Sequence, residues 1–216
     1  MKPALLDLFC CEGGAGTGYT RSGFAVVGID LKPQPRYPFE FHQGDALEYL
    51  REHGGEFDAI HASPPCQSYS RAMRHMATPQ PMLIDTVRDL LRASGKPWII
   101  ENVKGSPLAN CTELYGAHGV ELCGTMFGLR VYRHRIFETS FHLTPPRKCD
   151  HSRHAFNPHQ SESRDRIYAE FGRQDPEILW AKMMGVEWMN RHGARECIPP
   201  AYTEFIGRKL IEHLAR

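Results

Sequence analysis

The sequence predicts an α/β fold, with a mainly parallel sheet and helices on both of its faces. Two observations lead there. Short apolar runs recur along residues 4–103 and alternate with segments of helical spacing or clustered turn residues, the pattern of successive βαβ units. Most of those runs also deliver the chain to a glycine turn, an acid or a cysteine, and parallel sheets bind ligands outside the carboxyl ends of their strands.

In chain order, ALLDLF at 4–9 reads as a buried strand. It runs into CEGGAGTGYTRSGF, a glycine-rich turn that opens a helix near Ala15. FAVVGID at 24–30 is a second strand ending on an acid. A third, short strand is expected around 37–42, followed by Gly44-Asp45 capping a helix over ALEYLREHG. FDAIHA at 57–62 is the fourth strand, residues 79 to about 95 a helix, and PWIIENV at 97–103 the fifth strand. Beyond Gly105 the pattern loosens. CGTMFGLRVYRHRIFETSF suggests two short strands, EILWAKMMGVEWM a helix, and PPAYTEFIGRKLIEHLAR a closing amphipathic helix. Residues 144–166 are polar, aperiodic and rich in Pro, His and Arg, the composition of a loop-built recognition element or an irregular excursion.

Composition bounds the function. With 216 residues, 41% hydrophobic and 24% charged, the chain matches one sizeable globular domain. No apolar run approaches the roughly 20 residues of a membrane helix, and the short apolar start before Asp7 predicts no signal peptide. The seven cysteines are irregularly spaced, so no disulfide framework is expected and a reducing cytoplasm is the natural setting. Cys111, Cys123, Cys149 and His151 can be drawn around a zinc ion. No CxxC pair supports that set, and no metal is expected. A net charge of +1 says nothing about nucleic acid by itself. Residues 128–173, however, hold nine Lys/Arg against five Asp/Glu, which suits either a phosphate-facing surface or an ordinary solvated one. No self-complementary apolar stripe is evident, so a monomer is expected.

The chemistry sits at the strand ends. Gly13, Gly14, Gly16 and Gly18 permit close approach of a ligand to a helix N-terminus, although a glycine-rich turn alone is often no more than a tight turn. Asp30 is where an acid would hold ribose hydroxyls. Asp45 either joins it around an adenosine or simply caps a helix. Cys66, behind Pro64 and Pro65, is either a buried thiol or a nucleophile whose approach the prolines fix. Glu101 closes the fifth strand, where desolvation raises a carboxyl pKa; the plainer alternative pairs it with an arginine.

Pro64-Pro65-Cys66-Gln67 followed by Ser70, with Glu101-Asn102-Val103 one strand later, resembles the signature of the cytosine-C5 DNA methyltransferases. Asp7-Leu8-Phe9 with Gly13-Gly14 resembles that family's S-adenosylmethionine motif, and Asp30 and Gly44-Asp45 fall where its ribose- and adenine-binding acids belong. Arg133-His134-Arg135 is similar to its R-x-R block, and Ile198-Pro199-Pro200 with Ile206-Gly207 to its last motif. The resemblance spans residues 5–137 and 178–214. It implies a Rossmann-like S-adenosylmethionine-dependent methyltransferase fold, divided into a catalytic domain at 1–140, a short target-recognition insert at 141–177 and a C-terminal segment at 178–216 completing the catalytic domain.

It also implies a base flipped out of double-stranded DNA, with Cys66, Glu101, Arg133 and Arg135 as catalytic residues. Cys66 would add to C6 of the cytosine, Glu101 would bind N3 and N4, and the arginines would hold O2, the loop and nearby phosphate. Phe9, Gly13, Gly14, Asp30, Leu31, Asp45, Ala46 and Pro65 would line the cofactor, and Gln67 and Ser70 would touch the DNA backbone. The expected setting is cytoplasmic, in a bacterial or phage-infected cell and in the manner of restriction-modification systems.

Three departures stand out. Val131 replaces the family's Gln ahead of the first arginine. Arg195-Glu196 stands where Gly-Asn begins the last motif, which raises a charged derivative of the methyl donor as an alternative. The recognition insert is short, which implies a short or relaxed target sequence. The other readings are a C5 methyltransferase of tRNA or of a free pyrimidine nucleotide, an inactive DNA-binding relative, and an unrelated cysteine hydrolase. The last leaves Asp30, Asp45 and the glycines unexplained.

Overall fold

The computed structural model describes residues 1–65, 82–110, 118–152, 168–169 and 177–216. Seven strands form one sheet in the order β3-β2-β1-β4-β5-β8-β6. β1 (Ala4–Leu8), β2 (Ala25–Asp30), β3 (Glu40–Gln43), β4 (Ala59–Ala62) and β5 (Trp98–Val103) run parallel. β8 (Arg135–Thr139) is antiparallel to both β5 and β6 (His118–Leu122), so the sheet is mixed at one side. A separate parallel pair joins β7 (Val131–Tyr132) to β9 (Tyr168–Ala169), with Val131 opposite Tyr168. β6 lay outside the expected strands.

Alternation along the strands divides the core between the two faces. Leu5, Ala59, Ile99 and Phe137 point to one side. They pack with Tyr19 of α1 (Gly14–Ser22) and with Tyr202, Ile206 and Leu210 of α6 (Pro200–Leu214). Leu6, Leu8, Ile60 and Ile100 point to the other, against Leu50 of α2 (Ala46–His53) and Ile84, Val87 and Leu91 of α3 (Ile84–Ala93). The expected two-faced parallel architecture is therefore present. α2 begins where Gly44-Asp45 predicts: Asp45 Oδ1 accepts hydrogen bonds from the N–H groups of Leu47 and Glu48 at 2.7 and 3.1 Å.

The third strand is displaced from its expected place because Tyr37 is recruited to the core instead. Its ring fills the space left by Gly28 on β2, where an added Cβ would lie 2.5 Å from the Tyr37 hydroxyl. At the far end, α4 (Glu177–Met184) stops at Gly185, whose φ of 71° suits a left-handed cap. α5 (Arg191–Glu196) is a short helix that periodicity did not reveal; the Asn190 side chain caps it by accepting from Gly193 N–H at 3.0 Å. Met184, Val186, Met189, Ala194 and Cys197 form a small third core with Val131. Among the described residues, no helix is long and apolar enough to cross a membrane.

α1 and α6 approach so closely that only glycine fits at their crossing. A Cβ on Gly14 would lie 2.6 Å from the Ile198 carbonyl oxygen, and one on Gly18 would lie 2.6 Å from the Glu204 nitrogen and collide with the Pro200 carbonyl. Thr203 Oγ1 donates to the Ala15 carbonyl across the same contact at 2.9 Å. The obstacles include backbone atoms, which cannot swing aside. Gly18→Ala should therefore cost roughly 3 kcal/mol of stability through overpacking, whereas Gly55→Ala, with open space around it, should change little; urea denaturation of the two variants measures both.

Candidate active site

The strand order reverses between β1 and β4, and the turns that follow these two strands face one another across the switch point. The turn after β1 is tightly wound, with Phe9 and Cys11 at φ of 60° and 46° and Gly13 at 84°. Positive φ is unfavourable for the first two residues, and such strain gathers at ligand sites. It is held by Asp30 at the end of β2, whose carboxylate accepts from Cys11 N–H and Lys32 N–H, each at 3.0 Å. Gly44 N–H donates to the Asp30 carbonyl at 3.0 Å, which brings Asp45 and the buried Ala46 to the same edge.

Both capping bonds of Asp45 use Oδ1, so the residue does serve as a helix cap. Leu31, next to Asp30, is 69% exposed, an apolar side chain standing free at the rim. Gly13 and Gly14 open α1, both buried, and Pro65 is half-buried at the end of the β4 turn. The carboxylates of Asp30 and Asp45 beside the exposed apolar Leu31 form a lining that fits a nucleoside carrying a cationic group. The residues present thus suit S-adenosylmethionine.

The other half of the edge belongs to β4, β5 and β8. Glu101 is buried, and Arg135 Nε lies 3.1 Å from its carboxylate. The plainer reading of Glu101, an acid paired with an arginine, is thus what the fold forms, and the partner is itself one of the two R-x-R arginines. Asn102 is also buried. Its Nδ2 donates to the Pro64 carbonyl at 2.9 Å, fastening the Pro64-Pro65 segment to the strand that carries Glu101. Arg133 is fully buried. Its Nε donates to the Cys197 carbonyl and its Nη2 to the Arg195 carbonyl, both at 2.7 Å. Cys66, Gln67 and Ser70 lie outside the described residues.

Beneath the β4 turn, burial lowers the His61 pKa to about 3, which keeps the ring neutral. Its two nitrogens bond the Tyr19 hydroxyl at 2.9 Å and the Ser63 hydroxyl at 2.8 Å, so α1 and the residues before Pro64 are tied through one imidazole. His61 contributes stability that is present above its ordinary 6.5 and lost as pH falls towards 3.

Two buried acids beside this turn, Glu12 and Asp7, were given no individual role from the sequence. Glu12 accepts from Asn190 through both its backbone N–H, at 2.8 Å, and its side-chain amide, while Trp188 Nε1 donates to the Glu12 carbonyl at 2.9 Å. The turn after β1 is thereby pinned to the chain entering α5. The signal available was Glu12's position as an acid within an otherwise small, uncharged turn.

Asp7 on β1 is buried with Oδ1 lacking a hydrogen-bond partner among the described residues. Desolvation raises its pKa from 3.8 to about 7, against the lowering effect of hydrogen bonds from the Tyr37 hydroxyl and Gly16 N–H. Its folded value exceeds its unfolded one, so the associated stability is full below pH 3.8 and is lost as pH rises to about 7. Asp7→Asn should therefore gain on the native chain as pH is raised from about 4 to about 8, by up to roughly 4 kcal/mol, and the difference should level off above that; denaturant unfolding of both proteins across that range measures the slope.

Comparison with known proteins gives a consistent picture. Residues 4–110 match the model of the C-5 cytosine-specific DNA methylase family. The Type II methyltransferase M.AquIA of Picosynechococcus sp. is 27% identical over 124 residues, covering 49% of this chain and 50% of that protein. The Type II methyltransferase M.FnuDI of Fusobacterium nucleatum is 31% identical over 111 residues, covering 47% of this chain and 32% of that one. The chain thus matches half or less of the length of these curated relatives. The fold is shared with the S. pombe Dnmt2 methyltransferase, at a TM-score of 0.62 and 13% identity, with 100% of each chain covered. The Entamoeba histolytica methyltransferase EhMeth aligns similarly, at a TM-score of 0.64 and 13% identity, with 99% of each chain covered.

Proposed function

The chain belongs, through residues 4–110, to the cytosine-C5 methylase family, and from that premise we propose that it methylates C5 of cytosine in double-stranded DNA with S-adenosylmethionine as donor. What supports the reading most is the Asn102 bond to the Pro64 carbonyl, 2.9 Å long, which sets the segment just before Cys66 against the strand end bearing Glu101. Nucleophile and acid are required on one pocket because C5 of cytosine is a weak nucleophile unaided.

The bound donor supplies an electrophilic methyl group at the switch point. Cys66, as thiolate, adds to C6 of the flipped base while Glu101 delivers a proton to N3, leaving C5 electron-rich. C5 takes the methyl group. Loss of the C5 proton to solvent then restores the C5–C6 double bond as the carbon–sulfur bond breaks, Cys66 leaves as thiolate, and N3 gives its proton back to Glu101. Arg135 orients Glu101 and lies where it can reach the base. Arg133 acts through position: it fixes the backbone of residues 195–197. Gln67 and Ser70 serve the DNA backbone.

The charge around the cofactor edge favours ordinary S-adenosylmethionine over a carboxylated derivative. Asp30 and Asp45 are joined there by Glu196, whose Oε2 is 3.9 Å from Cys11 Sγ, and these acids attract a sulfonium and an ammonium while opposing an added carboxylate.

Labelled S-adenosylmethionine offered with DNA, RNA or dCTP should label DNA. DNA containing 5-fluorocytosine should form a covalent adduct that is lost in Cys66→Ser. Methyl transfer without any adduct, or transfer to none of the three substrates, removes this reading. Asn102→Ala should leave the buried Pro64 carbonyl unpaired, at a cost of about 1–3 kcal/mol. Through misplacement of the Cys66 segment it should also lower kcat on DNA by roughly tenfold or more with little change in the affinity for S-adenosylmethionine; single-turnover kinetics and calorimetry separate the two.

A further inference from the structure

Four side chains able to bind a metal converge beside the R-x-R segment, drawn from three separate stretches of chain. Cys123 follows β6, His134 stands between the two arginines, and Cys149 and His151 lie in the coil after β8, in the first part of the insert. One potential ligand atom from each lies within 4.8 Å of all the others. Zinc–sulfur bonds of about 2.3 Å and zinc–nitrogen bonds of about 2.0 Å at tetrahedral angles set neighbouring sulfur and nitrogen ligands roughly 3.5 Å apart. Cys123 Sγ and His151 Nε2 are 3.4 Å apart. A single thiol–imidazole hydrogen bond would account for that one distance, but not for a second thiol and a second imidazole arriving at the same point.

The surroundings hold the four in place. Thr125 Oγ1 donates to Cys123 Sγ at 3.5 Å and accepts from Asp150 N–H at 3.2 Å, clamping the two cysteine-bearing stretches together. Arg147 donates to the carbonyls of Met126 and Thr125 at 2.8 and 3.1 Å, a second stitch across the same seam. The His134 and His151 rings meet edge to face with centroids 4.9 Å apart, and Tyr132 packs on His151 at 4.4 Å. Glu121 Oε1 lies 3.5 Å from His134 Nε2, and a carboxylate beside a ligating imidazole is the usual means of orienting its ring.

We propose that Cys123, His134, Cys149 and His151 bind one zinc ion, which fastens the base of the recognition insert to the segment carrying Arg133 and Arg135. Two sulfurs and two nitrogens are the donor set that tetrahedral zinc takes, and hard cations prefer oxygen. Four protein ligands fill the coordination shell, so the ion's role is structural; binding converts two thiols to thiolates and releases their protons to solvent. The ligand set differs from the one drawn from sequence by one member. His134, there only the middle of R-x-R, takes the place of Cys111, which lies outside the described residues. The site stands apart from the methylation chemistry and does not depend on it.

The full-length chain, expressed in zinc-supplemented medium, should carry one zinc per chain by plasma mass spectrometry. Cys149→Ser and His151→Ala should lose it, and Cys111→Ser should keep it. Cobalt added to the metal-free chain should give thiolate-to-cobalt charge-transfer absorption together with the intense visible bands of tetrahedral cobalt, saturating at one equivalent. A native chain that retains no zinc and shows no such bands overturns the proposal. So does zinc retained at full occupancy by Cys149→Ser, or lost from Cys111→Ser. The cobalt titration uses the unaltered chain, so a variant that fails to fold does not shield the idea.

Discussion

The buried guanidinium of Arg133 is the joint on which the pocket depends. A charge without solvent is costly unless its donors meet well-placed acceptors, and Arg133 places Nε and Nη2 on the carbonyls of Cys197 and Arg195. Those bonds fix the residues that enter α6, so that Ile198 can close over Gly14 and α6 can lie against α1. From the other side, Tyr202 donates its hydroxyl to the Arg133 carbonyl at 2.5 Å. Two residues along the chain, Arg135 meets Glu101. One side chain therefore sets the residues that close over the start of α1, and the same short stretch presents the cation that faces the candidate acid.

Most of the parallel half of the sheet was legible because β1, β2, β4 and β5 are largely buried and read as short apolar runs leading to chemically capable residues, such as Asp30 after VVGI and Glu101 after WII. Asp45 was legible as a cap because capping is a local interaction. What escaped depended on long-range partners. β6 satisfies its edge through β8 and has little apolar periodicity of its own. α5 is too short for a period to register, and its cap Asn190 is fixed from Glu12 at the opposite end of the chain. Tyr37 looked like strand; its place in the core follows from Gly28, an absence of side chain that only tertiary contact explains.

The same distinction separates the site residues. Glycines and acids at strand ends declare themselves through position along the chain, and the structure gathers Phe9, Gly13, Gly14, Asp30, Leu31, Asp45, Ala46 and Pro65 along one edge. Arg133 and Arg135, two residues apart and alike in sequence, are divided by geometry: one turns into the core and the other towards Glu101. The Cys/His cluster was legible in three members, Cys123, Cys149 and His151, but not in the fourth. Its ligands carry no paired spacing, and His134 looked fully accounted for by its neighbours.

The crossing of α1 and α6 also bears on how the chain comes into being. Residues 14–22 leave the ribosome early, yet the surface that covers their glycine face and Tyr19 lies in residues 198–214. Until α6 emerges, the edge after β1 has strands and turns but no closing wall, and contacts so distant along the chain form slowly. Synthesis interrupted before α6 would thus leave a sheet with exposed apolar surface, a substrate for chaperones and proteases. The fold couples competence to a distant segment: the turn after β1 is translated well before the residues that close over it.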